Sequence, residues 1–160
     1  MNPDPRPRWL SPEELETWRA LNLLLARLPA ALSSQLQGEA GLSYMEYYVL
    51  SSLSEQPDHM IRMSRLALMA NAELSRLSHL MTRLEKRGLV RREPDPSDGR
   101  FTNAILTESG YTHLVGAAPG HVEEVRKLVF DVLDDDAQRA VRDAAGAIAH
   151  HLDHEGSSSP

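Results

Sequence analysis

None of the 160 residues is cysteine, which excludes disulfides, thiolate zinc sites, thiol redox sensing and cysteine nucleophiles together. There is also no run of about 18 apolar residues, so no membrane span is expected. The opening "MNPDPRPRW" lacks the apolar stretch that a secretory signal requires, and cytoplasmic placement is the expectation. Glycine-rich phosphate loops are missing. Carboxylates are plentiful, yet none pairs with a histidine or serine in a recognisable catalytic pattern, so neither an enzyme nor a cofactor is expected. A chain this long suits one domain with helical extensions, burying roughly two thirds of its unfolded surface.

Charge is present but unevenly placed. The net charge of −6 argues at first against nucleic acid. From Met60 to Phe101, however, nine Lys and Arg face five Asp and Glu, a balance of +4, while the remainder carries eight against eighteen, or −10. Local charge governs encounter more than the total does. A basic segment between two acidic ones is either an ordinary solvated face or the footprint of a polyanion.

Capping signals divide the chain. "SPEE" places Ser11 as N-cap, Pro12 first in the helix and Glu14 at the third position. Leu15, Trp18, Leu21, Leu25, Leu28, Leu32 and Leu36 then recur at helical spacing, with a kink expected at Pro29 and an end at Gly38 to Gly41. "SYME" repeats the capping box for a helix reaching about Glu55. His59 to Ile61 reads as a very short strand. Ser64 is expected to cap a short helix, Asn71 to Glu73 to turn, and "LSRLSHLMTRLEKR" to form a second helix stopped at Gly88. Leu89 to Glu93 and Thr102 to Leu106 read as strands. Thr107 caps a long helix, expected to break near Pro119-Gly120, and Asp134 to Asp136 open a last helix ending near Asp153.

On a 100° wheel, Leu74, Leu77, Leu80, Met81 and Leu84 fall on one arc that points to a core. Opposite lie Ser75, His79, Thr82, Arg83 and Lys86, with Arg76 at the flank. Arginine can bond two acceptors on a guanine edge, and serine and histidine suit base edges or phosphate oxygens. Two helices, a three-residue turn and two strands predict a winged helix-turn-helix. The segment between the strands, "RREPDPSDGR", is stiffened by Pro94 and Pro96 and turned by Asp98-Gly99, so that Arg100 is held out at its tip. With the second helix in a major groove, such a wing reaches the neighbouring minor groove, where arginine is favoured. Asp98 either pairs with Arg100 or ties the loop to its own backbone.

The segment Met63 to Gly110, with "RLEKRGLVRR", the D-x-R wing at Asp98-Gly99-Arg100 and "LTESG", resembles the winged-helix core of the MarR (multiple antibiotic resistance regulator) family, and the flanking helices extend the likeness to about 12–152. The resemblance implies a homodimeric regulator of a pseudo-palindromic operator, usually a repressor released by a small ligand. It implies a mainly α (α+β) fold, with 11–38 and 107–153 as dimerisation helices and 42–106 as the DNA-binding region, while the proline-rich 1–10 and the polar 154–160 read as disordered tails from their composition. The recognition helix is then about 74–87 and the wing 92–102. The DNA-contacting set is Asn71, Ser75, Arg76, Ser78, His79, Arg83 and Arg100, with Asp98 stabilising the wing. A winged-helix interaction module without DNA is the alternative. It would suit the net acidity but not the cationic face.

Apolar stripes on the terminal helices (Leu21, Leu25 and Leu28; Val122, Val125 and Val129; Val141, Ile148 and Leu152) exceed what a small core can cover, which points to a partner chain. Folding back on their own domain is the other outcome. A small-molecule effector would sit where those helices meet the DNA-binding lobe. Trp18, Tyr44, Tyr47, Tyr48 and His113 are candidates by residue type, and ordinary core positions are the alternative. His150, His151 and His154 invite a metal reading, but HExxH is missing and no metal is expected.

Overall fold

The computed structural model describes residues 7–156, with side chains through Asp153. Only residues 7–10 of the expected N-terminal tail fall in this range, and they form neither helix nor strand. The expected tail 154–160 lies outside it, apart from the backbone of 154–156.

Helix α1, Pro12–Ala40, begins at the Ser11–Glu14 capping box and ends at Gly41, whose φ of 63° is left-handed. It continues as helix through Pro29 and beyond Gly38. Helix α2, Tyr44–Ser54, starts at the second capping box, Ser43 with Glu46. A turn of 3-10 helix at Pro57–His59 leads into β1, Met60–Arg62. Helix α3, Met63–Met69, follows without a break and is preceded by Arg62 as an N-cap whose side chain makes no capping bond. Ser64 therefore does not cap it: the strand runs directly into the helix, and the serine falls inside its first turn. After the turn come α4, Leu74–Lys86, β2, Val90–Pro94, and β3, Thr102–Leu106.

The sheet is antiparallel with β3 in the middle. Ala104 faces Ile61 on one side and Arg92 on the other. Leu36, Leu42, Leu50, Leu53, Leu66, Leu77, Met81 and Leu84 are fully buried and form one core between the helices and the sheet. Leu74 departs from the wheel. It is 51% exposed, because the first turn of α4 projects past the edge of that core.

Helix α5, Glu108–Leu128, is capped by Thr107, whose hydroxyl accepts from the Gly110 N–H at 3.0 Å. No break occurs at Pro119-Gly120: the helix continues to Leu128, and a 3-10 turn follows at Phe130–Val132. A proline deprives a helix of one internal bond, and here α5 packs along α1, which holds the chain in place. Gly120 permits the close approach, since a Cβ there would fall 2.1 Å from Glu39 Oε2. Helix α6, Asp135–Gly156, opens with the Ala137 N–H donating to the Asp134 carboxylate at 2.8 Å, and it runs past the expected stop at Asp153. Arg139 through Asp153 are all solvent-exposed, as are Leu23, Leu24 and Leu25 on α1. Among the described residues no helix is long and apolar enough to cross a membrane.

Candidate nucleic-acid interface

The turn into α4 depends on Asn71, which adopts a left-handed φ of 45°, a conformation asparagine tolerates better than most residues. Its side chain and that of Glu73 are exposed, and Glu73, the N-cap, makes no side-chain capping bond. Leu77, Leu80, Met81 and Leu84 anchor one face of α4, so Ser75, Arg76, His79, Arg83 and Lys86 stand exposed on the others. The helix stops in a Schellman arrangement. The Leu89 N–H donates to the Leu84 carbonyl at 3.0 Å and the Gly88 N–H to Glu85 at 2.8 Å, with Gly88 at φ 72°.

The wing is fastened to this helix by a residue outside the candidate set. Arg92 on β2 donates through Nε and Nη2 to Glu85 Oε2 at 3.0 and 2.5 Å, through Nη1 to the Ser78 hydroxyl at 2.9 Å, and through Nη2 to the Thr82 hydroxyl at 2.9 Å. That guanidinium holds the Glu85 carboxyl below its ordinary range. Ser78 and Thr82 are thus half-buried and turned toward the wing. A second tie comes from β1, where Arg62 Nε donates to Asp95 at 2.9 Å and the guanidinium lies 4.4 Å from the centre of the Phe101 ring. Asp95 also accepts from the N–H and hydroxyl of Ser97, at 2.9 and 2.6 Å. Ser97 first, and Arg62 after it, keep that carboxyl far below the usual carboxylate range.

At the tip, Asp98 Oδ1 accepts from the backbone N–H of Arg100 at 3.1 Å. The two carboxylate oxygens also take Arg100 Nε and Nη2 at 2.9 and 2.7 Å. The Arg100 partnership lowers the Asp98 pKa and raises that of the arginine. Arg100 nonetheless remains 86% exposed, so its outward charge is available while its direction is set. Arg83, the other flanking cation, leans back: its Nε lies 3.3 Å from Glu46 Oε1, a buried carboxylate at the start of α2. Arg87 donates to the Gly41 carbonyl at 2.8 Å, pinning the end of α4 to the end of α1.

The effector candidates do not gather in one place. Tyr44 and Tyr47 meet at His121 of α5, with ring centroids 6.2 and 4.3 Å from it. Burial pushes the His121 pKa down and that of Tyr47 up. His121 Nδ1 is buried without a hydrogen-bond partner, as is Gln35 Oε1 on α1. His113 instead bonds the Ala40 carbonyl at 2.8 Å and borders a cavity with Glu39 and Glu108. The Tyr48 hydroxyl donates to the Met69 carbonyl at 2.8 Å. Trp18 lies apart, half-exposed beside Leu10, Thr17 and Leu21. Among the described residues no three His, Asp or Glu are grouped to hold a metal. The His154 side chain lies outside the described range. Arg92, Arg62 and His121 carry no local sequence signal, since each acts through residues brought near by folding.

Two helices joined by a tight turn, with a β2–β3 loop projecting beside the second, define a winged helix-turn-helix protein. Residues 40–100 match the model of the MarR family. Over 93% of both chains, the protein is 43% identical to Sco3205, a MarR family transcriptional regulator from Streptomyces coelicolor solved in complex with DNA, with a TM-score of 0.89. AbsC, a MarR family regulator from the same organism, is 38% identical over 92% of this chain and 99% of its own, with a TM-score of 0.87. The transcriptional regulator HosA of Escherichia coli O111:H- is 35% identical over 78 residues, 49% of this chain and 56% of that protein, so this match spans little more than half of the curated relative. The chain belongs to the MarR family of transcriptional regulators.

Proposed function

We propose that the protein is a homodimeric, sequence-specific DNA-binding repressor, with α4 in the major groove and the β2–β3 wing in the adjacent minor groove. The observation that carries this reading is the placement of cations and hydrogen-bonding groups. Ser75, Arg76, His79 and Lys86 line an exposed face of α4, and Arg100 stands at the end of a loop ordered by Asp98. The likeness to Sco3205, solved with DNA, supports it. Exposed apolar residues on α1 and α6 support a two-fold dimer formed from residues 11–38 and 107–153, around a DNA-binding region at 42–106. Two recognition helices about one DNA turn apart would then meet a pseudo-palindromic operator.

Release by a small molecule is part of the proposal. The unpartnered Gln35 Oε1 and His121 Nδ1, with Tyr44 and Tyr47 beside the imidazole, offer polar and aromatic groups close to the root of the DNA-binding lobe. A gel-shift titration with the DNA upstream of the protein's own coding sequence tests the DNA-binding core of this proposal. Sequence-selective binding that weakens with salt is expected. No shift at low salt, with a folded protein, would favour the interaction module instead.

A further inference from the structure

Leu74 is the apolar residue on α4 whose exposure the helical period does not explain. The other apolar side chains of that helix, Leu77, Leu80, Met81 and Leu84, are buried, whereas Leu74 is half open. It borders a hollow of about 240 Å³ between helix and wing, together with Met63, Ser78, Arg92, Arg100 and Phe101. Phe101 is exposed too and is steadied by the Arg62 guanidinium. An apolar pair therefore stands at the entrance of a helix otherwise dressed with polar and cationic groups, next to the exposed charge of Arg100.

A complementary partner must present anionic groups and a small apolar knob at the same place. Double-stranded DNA does so: its backbone is a row of phosphates, and the 5-methyl of thymine is the apolar feature of the major-groove base edges. We infer that Leu74 is a specificity-determining residue that reads a thymine methyl group at the N-terminal end of the recognition helix. The inference rests on the DNA-binding reading above and adds a base preference to it. Polar residues at the helix start suit any sequence with matching acceptors. A leucine there gains only where a methyl can be buried against it.

The test uses the full-length protein and an operator selected from a random duplex pool. Each thymine is replaced in turn by deoxyuridine, which keeps the base pair and removes the methyl. Wild type should lose about fourfold in affinity at one position per half-site, the worth of one buried methyl-sized group. Leu74→Ala should bind the thymine operator more weakly and respond equally to thymine and uracil at that position, with unchanged melting. Leu74→Gln, which keeps the length and removes the apolar tip, should lose the same discrimination. Arg100→Ala should weaken both duplexes alike and keep the uracil penalty. A penalty that persists in Leu74→Ala, or an operator with no methyl-sensitive thymine, overturns the inference while leaving DNA binding standing. If the pool yields no operator at all, the DNA reading fails and this inference falls with it.

Discussion

Asp98 takes Arg100 through both backbone and side chain, and its carboxylate has two opposite consequences for a polyanion. The carboxylate repels phosphate, yet it orders the loop before contact, which lowers the entropy cost of association. Arg100→Ala should weaken operator binding without disturbing melting, because an exposed tip supports no core. The slope of log affinity against log salt should fall by about one unit, read from titrations at several salt concentrations. Asp98→Ala removes a negative charge and should still bind more weakly. Tighter binding by that variant would show the loop's order to be incidental. On α4, Arg76→Ala or His79→Ala should narrow the gap between operator and random DNA by about 1–3 kcal/mol if the side chain reads a base edge. An equal loss on all sequences would move that residue to the phosphates.

Between elements, the joint from wing to α5 relies on a small residue. The Leu89 carbonyl accepts from the Thr107 N–H at 3.2 Å, the Thr107 hydroxyl donates to the Gly88 carbonyl at 2.6 Å, and Gly110 fits beneath them. A Cβ at Gly110 would fall 1.9 Å from the Leu89 oxygen and 2.7 Å from Leu106 Cδ1. Backbone lies in the way, so Gly110→Ala should cost about 1–3 kcal/mol of stability, measured by chemical denaturation. Local signals of this kind made most of the fold readable in the sequence: two capping boxes, the Gly88 stop and the Thr107 cap all rest on neighbours within a few residues. What could not be read depends on distance along the chain. Thr82 lies on the outward line by helical period but is turned under Arg92, and Arg83 reaches back 37 residues to Glu46. Leu74 belongs to the apolar arc by angle, but the core ends before it. Pro119 looks like a break because the usual rule weighs one lost bond and cannot see α1 alongside.

Across the whole molecule, acidity and DNA binding are reconciled by segregation: the positive balance between Met60 and Phe101 falls on the helix-turn-helix and wing, and most of the acidic remainder on the terminal helices. Those helices expose Leu25, Val122, Val141, Ile148 and Leu152, and uncovered apolar stripes of this kind favour a partner chain. Sedimentation at micromolar concentration should therefore show a dimer, and a folded monomer would contradict the arrangement. The most direct test of the central claim is a hydroxyl-radical footprint of the protein on its selected operator, for wild type and Arg100→Ala. Protection symmetric about the operator centre is expected, with half-sites about 10 bp apart and flanking minor-groove protection that disappears in Arg100→Ala. Protection of a single half-site, or a flank that survives loss of Arg100, would contradict it.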